Sequence, residues 1–141
     1  MSKIKIITDS TSYIRREYAE ENDVSIIPLS YTFDDVTEKE GFPGEFDEFF
    51  NKLSSTELFP TTSQPSTGDI LSEFERAFSE GYDEIIAIFI SSKLSGTYNN
   101  AILAKSMLED KKIAIIDSTQ TASNLRFLVE DAVEMAKAGE N

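Results

Sequence analysis

Two short segments concentrate the side chains able to grip an anion: Thr61-Thr62-Ser63-Gln64-Pro65-Ser66 and Ser91-Ser92-Lys93-Leu94-Ser95-Gly96-Thr97. Both consist of small hydroxyl donors, turn formers and a helix-start signal, a set suited to binding an oxyanion through neutral hydrogen bonds. In the second segment Gly96 permits close backbone approach, and the helix expected to follow offers free N–H groups. Each segment also has a plainer reading. Ser66 with Asp69 three residues later is a capping pair, and Ser95 or Thr97 would serve as an N-cap without any ligand. Two further clusters, Asp9-Ser10-Thr11 and Asp117-Ser118-Thr119, add carboxylates that could hold Mg²⁺ or act in phosphoryl transfer. Neither is accompanied by a Gly-x-x-x-x-Gly-Lys-Ser/Thr or Gly-x-Gly-x-x-Gly phosphate motif, which favours a capping role for both. Lys93 is the one cation in these loops, placed either to pair with an anion or to sit in solvent.

Bulk charge cannot be what draws an anion to these groups. The chain of 141 residues carries 13 basic side chains against 26 acidic ones, a net charge of −13. That balance excludes nucleic acid as a partner, because phosphate binding rests on clustered Lys and Arg. Histidine and cysteine are both absent. Their absence removes the usual general base near neutral pH, every Ser-His-Asp triad, a thiol nucleophile and a disulfide framework. Carboxylate-held Mg²⁺ stays open, since a hard cation needs only oxygen. No apolar run approaches the ~20 residues that span a bilayer, so the chain is expected to be cytoplasmic and not membrane-spanning.

The segments between these clusters must position them. Lys3-Ile4-Lys5-Ile6-Ile7-Thr8 predicts a buried strand running into Asp9, followed by an acidic helix through Glu21. A second strand is expected at Val24-Ser25-Ile26-Ile27-Pro28-Leu29, running on toward Phe33, with Asp34-Asp35 turning it into a hairpin with Val36-Thr37. Gly41, Pro43 and Gly44 mark a loop before a short helix over 46–53, and Phe42, Phe46, Phe49, Phe50 and Phe59 form an aromatic-rich run beside the first hydroxyl segment. Ile70, Leu71, Phe74, Ala77 and Phe78 recur at helical spacing, closed by Gly81. Ile85 to Ile90 and Lys112 to Asp117 read as strands buried on both faces. Between them Tyr98, Ala101, Ile102 and Lys105 share a helical face, and a last helix runs from Asn124 to Ala138. Strand and helix alternate four times, which predicts a single α/β domain of three layers, a mainly parallel sheet with helices on both faces. Ligands of such sheets bind beyond the carboxyl ends of the strands, so the clusters after Thr8, Ile90 and Ile116 should meet on one edge.

Taken in order, Ile7-Thr8-Asp9-Ser10-Thr11, Thr62-Ser63-Gln64-Pro65-Ser66 and Ile90-Ser91-Ser92-Lys93-Leu94-Ser95-Gly96-Thr97-Tyr98 resemble the DegV family. These are bacterial fatty-acid-binding proteins that include the carrier subunit of fatty acid kinase. Ile116-Asp117-Ser118 resembles a further strand-end element of the family. The resemblance implies a non-catalytic carrier that buries a long-chain fatty acid between two domains and holds its carboxylate with hydroxyls, with the fatty acid as ligand and no cofactor. By motif, Thr62 and Ser95 would contact the carboxylate, with Ser63, Gly96 and Thr97 completing the pocket and Asp9, Ser10, Ser92, Lys93 and Ser118 in support. In kinase-associated members the protein presents the acid to a separate ATP-using subunit. The resemblance covers only the N-terminal domain of that architecture. The second domain, and the basic or histidine side chains it brings to the carboxylate, are expected to be absent from residues 1–141. The stretch from Asp117 to Asn124 also lacks the glycines that the family places after its Asp-Ser. The competing reading is a Mg²⁺-dependent phosphoryl-transfer domain using Asp9 and Asp117.

Overall fold

The computed structural model describes residues 3–33, 36–43 and 61–139. The first strand, β1 (Ile4–Asp9), forms because a β-branched run can bury both of its faces. A 3-10 turn at Ser10–Ser12 and the short helix α1 (Arg16–Glu21) lead to β2 (Ser25–Ile27), which pairs parallel with β1. Next come β3 (Ser30–Phe33), β4 (Val36–Lys39) and β5 (Thr61–Ser63), then the helix α2 (Thr67–Ser79). The remainder alternates as β6 (Glu84–Phe89), α3 (Thr97–Ser106), β7 (Lys112–Asp117) and α4 (Ala122–Lys137).

The main sheet is fully parallel in the order β2-β1-β6-β7, and a small antiparallel sheet has the order β4-β3-β5. Successive residues of the central strands feed opposite cores. Ile7, Ile85, Ala87 and Phe89 pack with Ile70 and Phe74 of α2 and Ala101 and Ala104 of α3. Ile6 and Ile88 pack on the other face with Ala19 of α1 and Leu125, Val129 and Val133 of α4. The expected three-layer architecture is therefore the observed one. Phe74 is fully buried at the centre of the first core, so Phe74→Ala should cost about 3–5 kcal/mol.

Local signals set the ends of α2. The Ser66 hydroxyl accepts the Asp69 N–H at 3.0 Å. At the other end Gly81 takes φ +97°, while Tyr82 N–H reaches Ala77 O at 3.2 Å and Gly81 N–H reaches Phe78 O at 3.1 Å. That bond pair is a Schellman cap, which needs a left-handed residue at this position.

Four expectations require correction. The strand from Val24 toward Phe33 is two strands in different sheets, split at Pro28, which has no N–H to give to a ladder; Leu29 N–H goes instead to Ser10 Oγ at 2.9 Å. Residues Lys112–Asp117 are not buried on both faces: β7 is an edge strand, with Ile113 buried and Ile116 exposed. The inward face of α3 carries Thr97, Ala101 and Ala104, while Ile102 and Lys105 point to solvent. Residues 61–63 form a strand, not a loop, paired with β3 through Tyr31 opposite Thr62. The hairpin itself is as expected, with Thr32 opposite Thr37 and Phe33 opposite Val36. Its Asp34-Asp35 turn, Gly44, the helix over 46–53 and the aromatics Phe46, Phe49, Phe50 and Phe59 lie outside the described residues. Phe42 is described; it packs against the second core beneath the Arg16 guanidinium.

Candidate functional site

Parallel pairing brings the ends of β1, β6 and β7 to one edge, and hydrogen bonds sew them together. Asp9 is fully buried, and its carboxylate accepts Ile90 N–H at 2.7 Å, Thr11 N–H at 2.9 Å and the Thr11 hydroxyl. Burial pushes its pKa up, against the pull of those donors. Asp117 accepts Ser92 N–H at 3.2 Å, the Ser92 hydroxyl and Thr119 N–H at 3.0 Å. The Ser92 hydroxyl is the main reason its carboxyl titrates below the usual range. Ser118 is buried and donates to Phe89 O at 2.6 Å. Each of these groups fixes where the 91–97 segment leaves the sheet.

The segment itself is tightly wound. Ser91 O accepts Leu94 N–H at 2.9 Å and Ser95 N–H at 3.2 Å, and Ser91 N–H reaches Gln120 O at 3.0 Å. The chain then enters α3 with Gly96 at the N-cap and no side-chain cap hydrogen bond. Ser95 Oγ lies 2.9 Å from Thr97 Oγ1 and accepts Thr97 N–H at 3.3 Å. The plain N-cap reading of Ser95 and Thr97 thus gives way to a turn with Gly96 in the N-cap position.

β5 lies alongside. A Cβ built on Gly96 would stand 2.9 Å from the Gln64 side-chain amide, so the absent side chain is what lets Gln64 lie across the helix start. Asn100 Nδ2 donates to Pro65 O at 2.9 Å, a second tie between the segments. Between them opens a cavity of about 200 Å³. Thr62, Ser63 and Ser95 are among the residues that line it, and Leu29, Ile90 and Leu94 give it an apolar wall.

The structure therefore brings Thr62, Ser63 and Ser95 together at one cavity. Gly96 lies at the seam beneath Gln64, and Thr97 is buried with its hydroxyl turned to Ser95. Ser10 links Leu29 N–H to Glu40, Lys93 is exposed, and Ser92 and Ser118 are tied to neighbouring strand ends. Sequence reasoning passed over Gln64 as a packing group and Glu40, which also lines the cavity. The signal for Glu40 was weak, since Glu38-Lys39-Glu40 reads as a solvated charge run. Both aspartates have their oxygens engaged by amides and hydroxyls, which disfavours the phosphoryl-transfer reading. Among the described residues no group of three or more acidic side chains is placed to hold a metal ion, and no helix is long and apolar enough to cross a membrane.

Comparison with known proteins bears on the family and the fold. Residues 3–141 match the family model described as "Uncharacterised protein, DegV family". A DegV domain-containing protein of Halalkalibacterium halodurans is 38% identical over 139 residues, covering 99% of this chain and 49% of the relative. A Thermotoga maritima protein whose structure is described as revealing fatty acid binding function superposes with a TM-score of 0.92 at 31% identity, covering 100% of this chain and 51% of that one. A stearic acid-binding protein from Eubacterium ventriosum gives 0.88 at 34% identity, with 100% and 49% covered. The chain thus spans about half the length of the relatives it matches. The motif order, the parallel sheet and a family match running through almost every residue lead to one assignment: this chain belongs to the DegV family.

Proposed function

We propose that this chain is a fatty-acid-binding domain in which the cavity between β5 and the start of α3 holds the acyl carboxylate. The observation that carries the reading is the meeting of Thr62 and Ser95, distant in sequence, on one small cavity with an apolar wall of Leu29, Ile90 and Leu94. Hydrogen bonds to a charged group stabilise by about 1.5–3 kcal/mol each. Two or three hydroxyls can therefore orient a carboxylate without the strong hold of an arginine. Ser63 would act beside them, with Gly96 and Thr97 shaping the rim of the pocket at the start of α3.

Affinity must come mainly from the tail, at about 0.8 kcal/mol per buried CH₂. A cavity of about 200 Å³ is smaller than the ~300–1,000 Å³ typical of sites that enclose a whole small ligand. It suits a headgroup and the first methylenes. The rest of the chain would lie against surface contributed by the part of these proteins that the relatives have beyond this match. In this reading the protein is a binder without chemistry of its own, presenting the exposed acid end to a kinase subunit. The fatty-acid descriptions of the Thermotoga and Eubacterium relatives support it.

Native mass spectrometry of the chain purified from bacteria tests this directly. The expected spectrum contains a species heavier by one long-chain fatty acid, displaced by added stearic acid. Protein that neither carries nor takes up any acyl ligand would contradict the proposal.

A further inference from the structure

Glu40 stands on the wall of the hydroxyl cavity and is the only titratable side chain lining it among the described residues. Its backbone is pinned where β4 ends, with Glu40 N–H on Leu29 O at 2.7 Å. Its Oε1 accepts the Ser10 hydroxyl at 2.8 Å. Ser10 Oγ at the same time accepts Leu29 N–H at 2.9 Å, which fixes that hydroxyl as a donor to Glu40. Among the described residues the carboxylate has no ion-pair partner.

Among the described residues the surrounding charges do not neutralise it. From β1 the buried Asp9 carboxylate faces the same turn, and Glu40 is one of the groups that raise its pKa. On β4, Glu38 accepts the Tyr31 phenol of β3 at 2.8 Å, and Lys39 is exposed. β5 contributes only the neutral Thr62 and Ser63, and the turn after β6 contributes the exposed Lys93. From α1, Arg16 is stacked 4.4 Å from the Phe42 ring centroid.

A carboxylate ligand entering this cavity would meet Glu40 at close range across neutral hydroxyls. Two carboxylates sharing one site cannot both stay ionised cheaply, and one of them takes a proton. We propose that Glu40 is the headgroup-selecting residue of the site: ligand and Glu40 share a single proton on binding, so the cavity prefers a headgroup that can donate a hydrogen bond to Glu40. This rests on the carboxylate reading given above. Its consequence follows from proton linkage. Where the shared proton is drawn from solvent, binding takes up one proton. Affinity falls by up to about tenfold per pH unit until the bound pair gives up its shared proton.

Decanoic acid, with 1-decanol as a neutral control, supplies the test by calorimetric titration between pH 5.5 and 8.5. The expected result is acid binding that weakens steeply with pH, alcohol binding that does not, and a Glu40→Gln variant that binds the acid with a flattened profile and more tightly at pH 8. Gln keeps an acceptor for Ser10, so the wall should survive the change. Acid binding independent of pH, the same slope for the alcohol, or an unaltered slope in Glu40→Gln would overturn the role of Glu40 and leave the carboxylate site standing. Absence of acid binding at every pH would remove the carboxylate site and this inference together.

Discussion

Residues 91–97 leave the sheet where three strand ends are tied together, whereas residues 61–63 pair, among the described residues, only with β3, at the edge of the small sheet. The first segment is wound on Ser91 and buried at Thr97; the second is exposed along its length. Composition hides this difference, because both are short runs of Ser and Thr. A fixed half and an adjustable half make chemical sense for a ligand site. Ser95 is pre-placed by the sheet, so orienting it on a ligand costs little conformational entropy. Thr62 lies on an exposed strand with fewer such ties among the described residues. The two aspartates that look most like reactive groups are what make the fixed half fixed.

The largest expected effect comes from breaking that anchoring. Asp9→Ala would leave the Ile90 and Thr11 amides without their acceptor in a buried place, a loss of about 2–4 kcal/mol in unfolding free energy. Denaturant melts of this variant should also show residues 91–97 among the first to exchange their amides. The two aspartates carry opposite pH signatures. Because burial raises the pKa of Asp9, the folded state keeps a proton there that the unfolded chain has lost. Its contribution therefore declines as pH rises from the ordinary aspartate value of 3.8 through the raised one. The Ser92 hydroxyl lowers the pKa of Asp117, so that contribution is present above 3.8 and disappears as pH falls through the lowered value. Stability measured against pH should lose its upper slope in Asp9→Asn and its lower slope in Asp117→Asn.

Next in size are the hydroxyls of the proposed carboxylate grip. Ser95→Ala or Thr62→Val should each weaken fatty-acid binding about tenfold or more, the equivalent of one hydrogen bond to a charged group. Thr62→Val should leave stability nearly unchanged, since its side chain is exposed and a β-branched residue is kept. Ser95→Ala should also lower stability slightly, through the lost acceptor for Thr97 N–H. An equal stability cost at both positions would erase the distinction between a fixed and an adjustable half. The smallest effect is expected at the seam. Gly96→Ala adds a methyl group against the far end of Gln64 at a backbone φ of −80° that alanine tolerates. Melting should report about 1 kcal/mol or less, recovered when Gln64→Ala is added.

Much of this scaffold can be read from residue order. Doubly apolar runs such as Ile85-Ile86-Ala87-Ile88 announce central parallel strands, and Ser66 and Gly81 bracket α2 as their chemistry requires. The edge position of β7 could not be read in this way, because Lys112 to Asp117 is as apolar as a central strand and its place depends on which neighbours pair. Thr61-Thr62-Ser63 is too short and polar to announce a strand, and its partner β3 is about thirty residues away. Glu40 reaches the cavity only because β4 returns beside Ser10, a contact across thirty residues that no local pattern encodes. Gln64 gains its role from a missing atom at Gly96.

A double-mutant cycle on fatty-acid affinity, using Thr62→Val, Ser95→Ala and both together, tests whether the two halves grip one carboxylate. Each single change should weaken binding about tenfold, and the double change should depart from the product of the two, since both hydroxyls would serve the same charge. Binding unmoved by either substitution, or two losses that multiply without coupling, would contradict a shared grip.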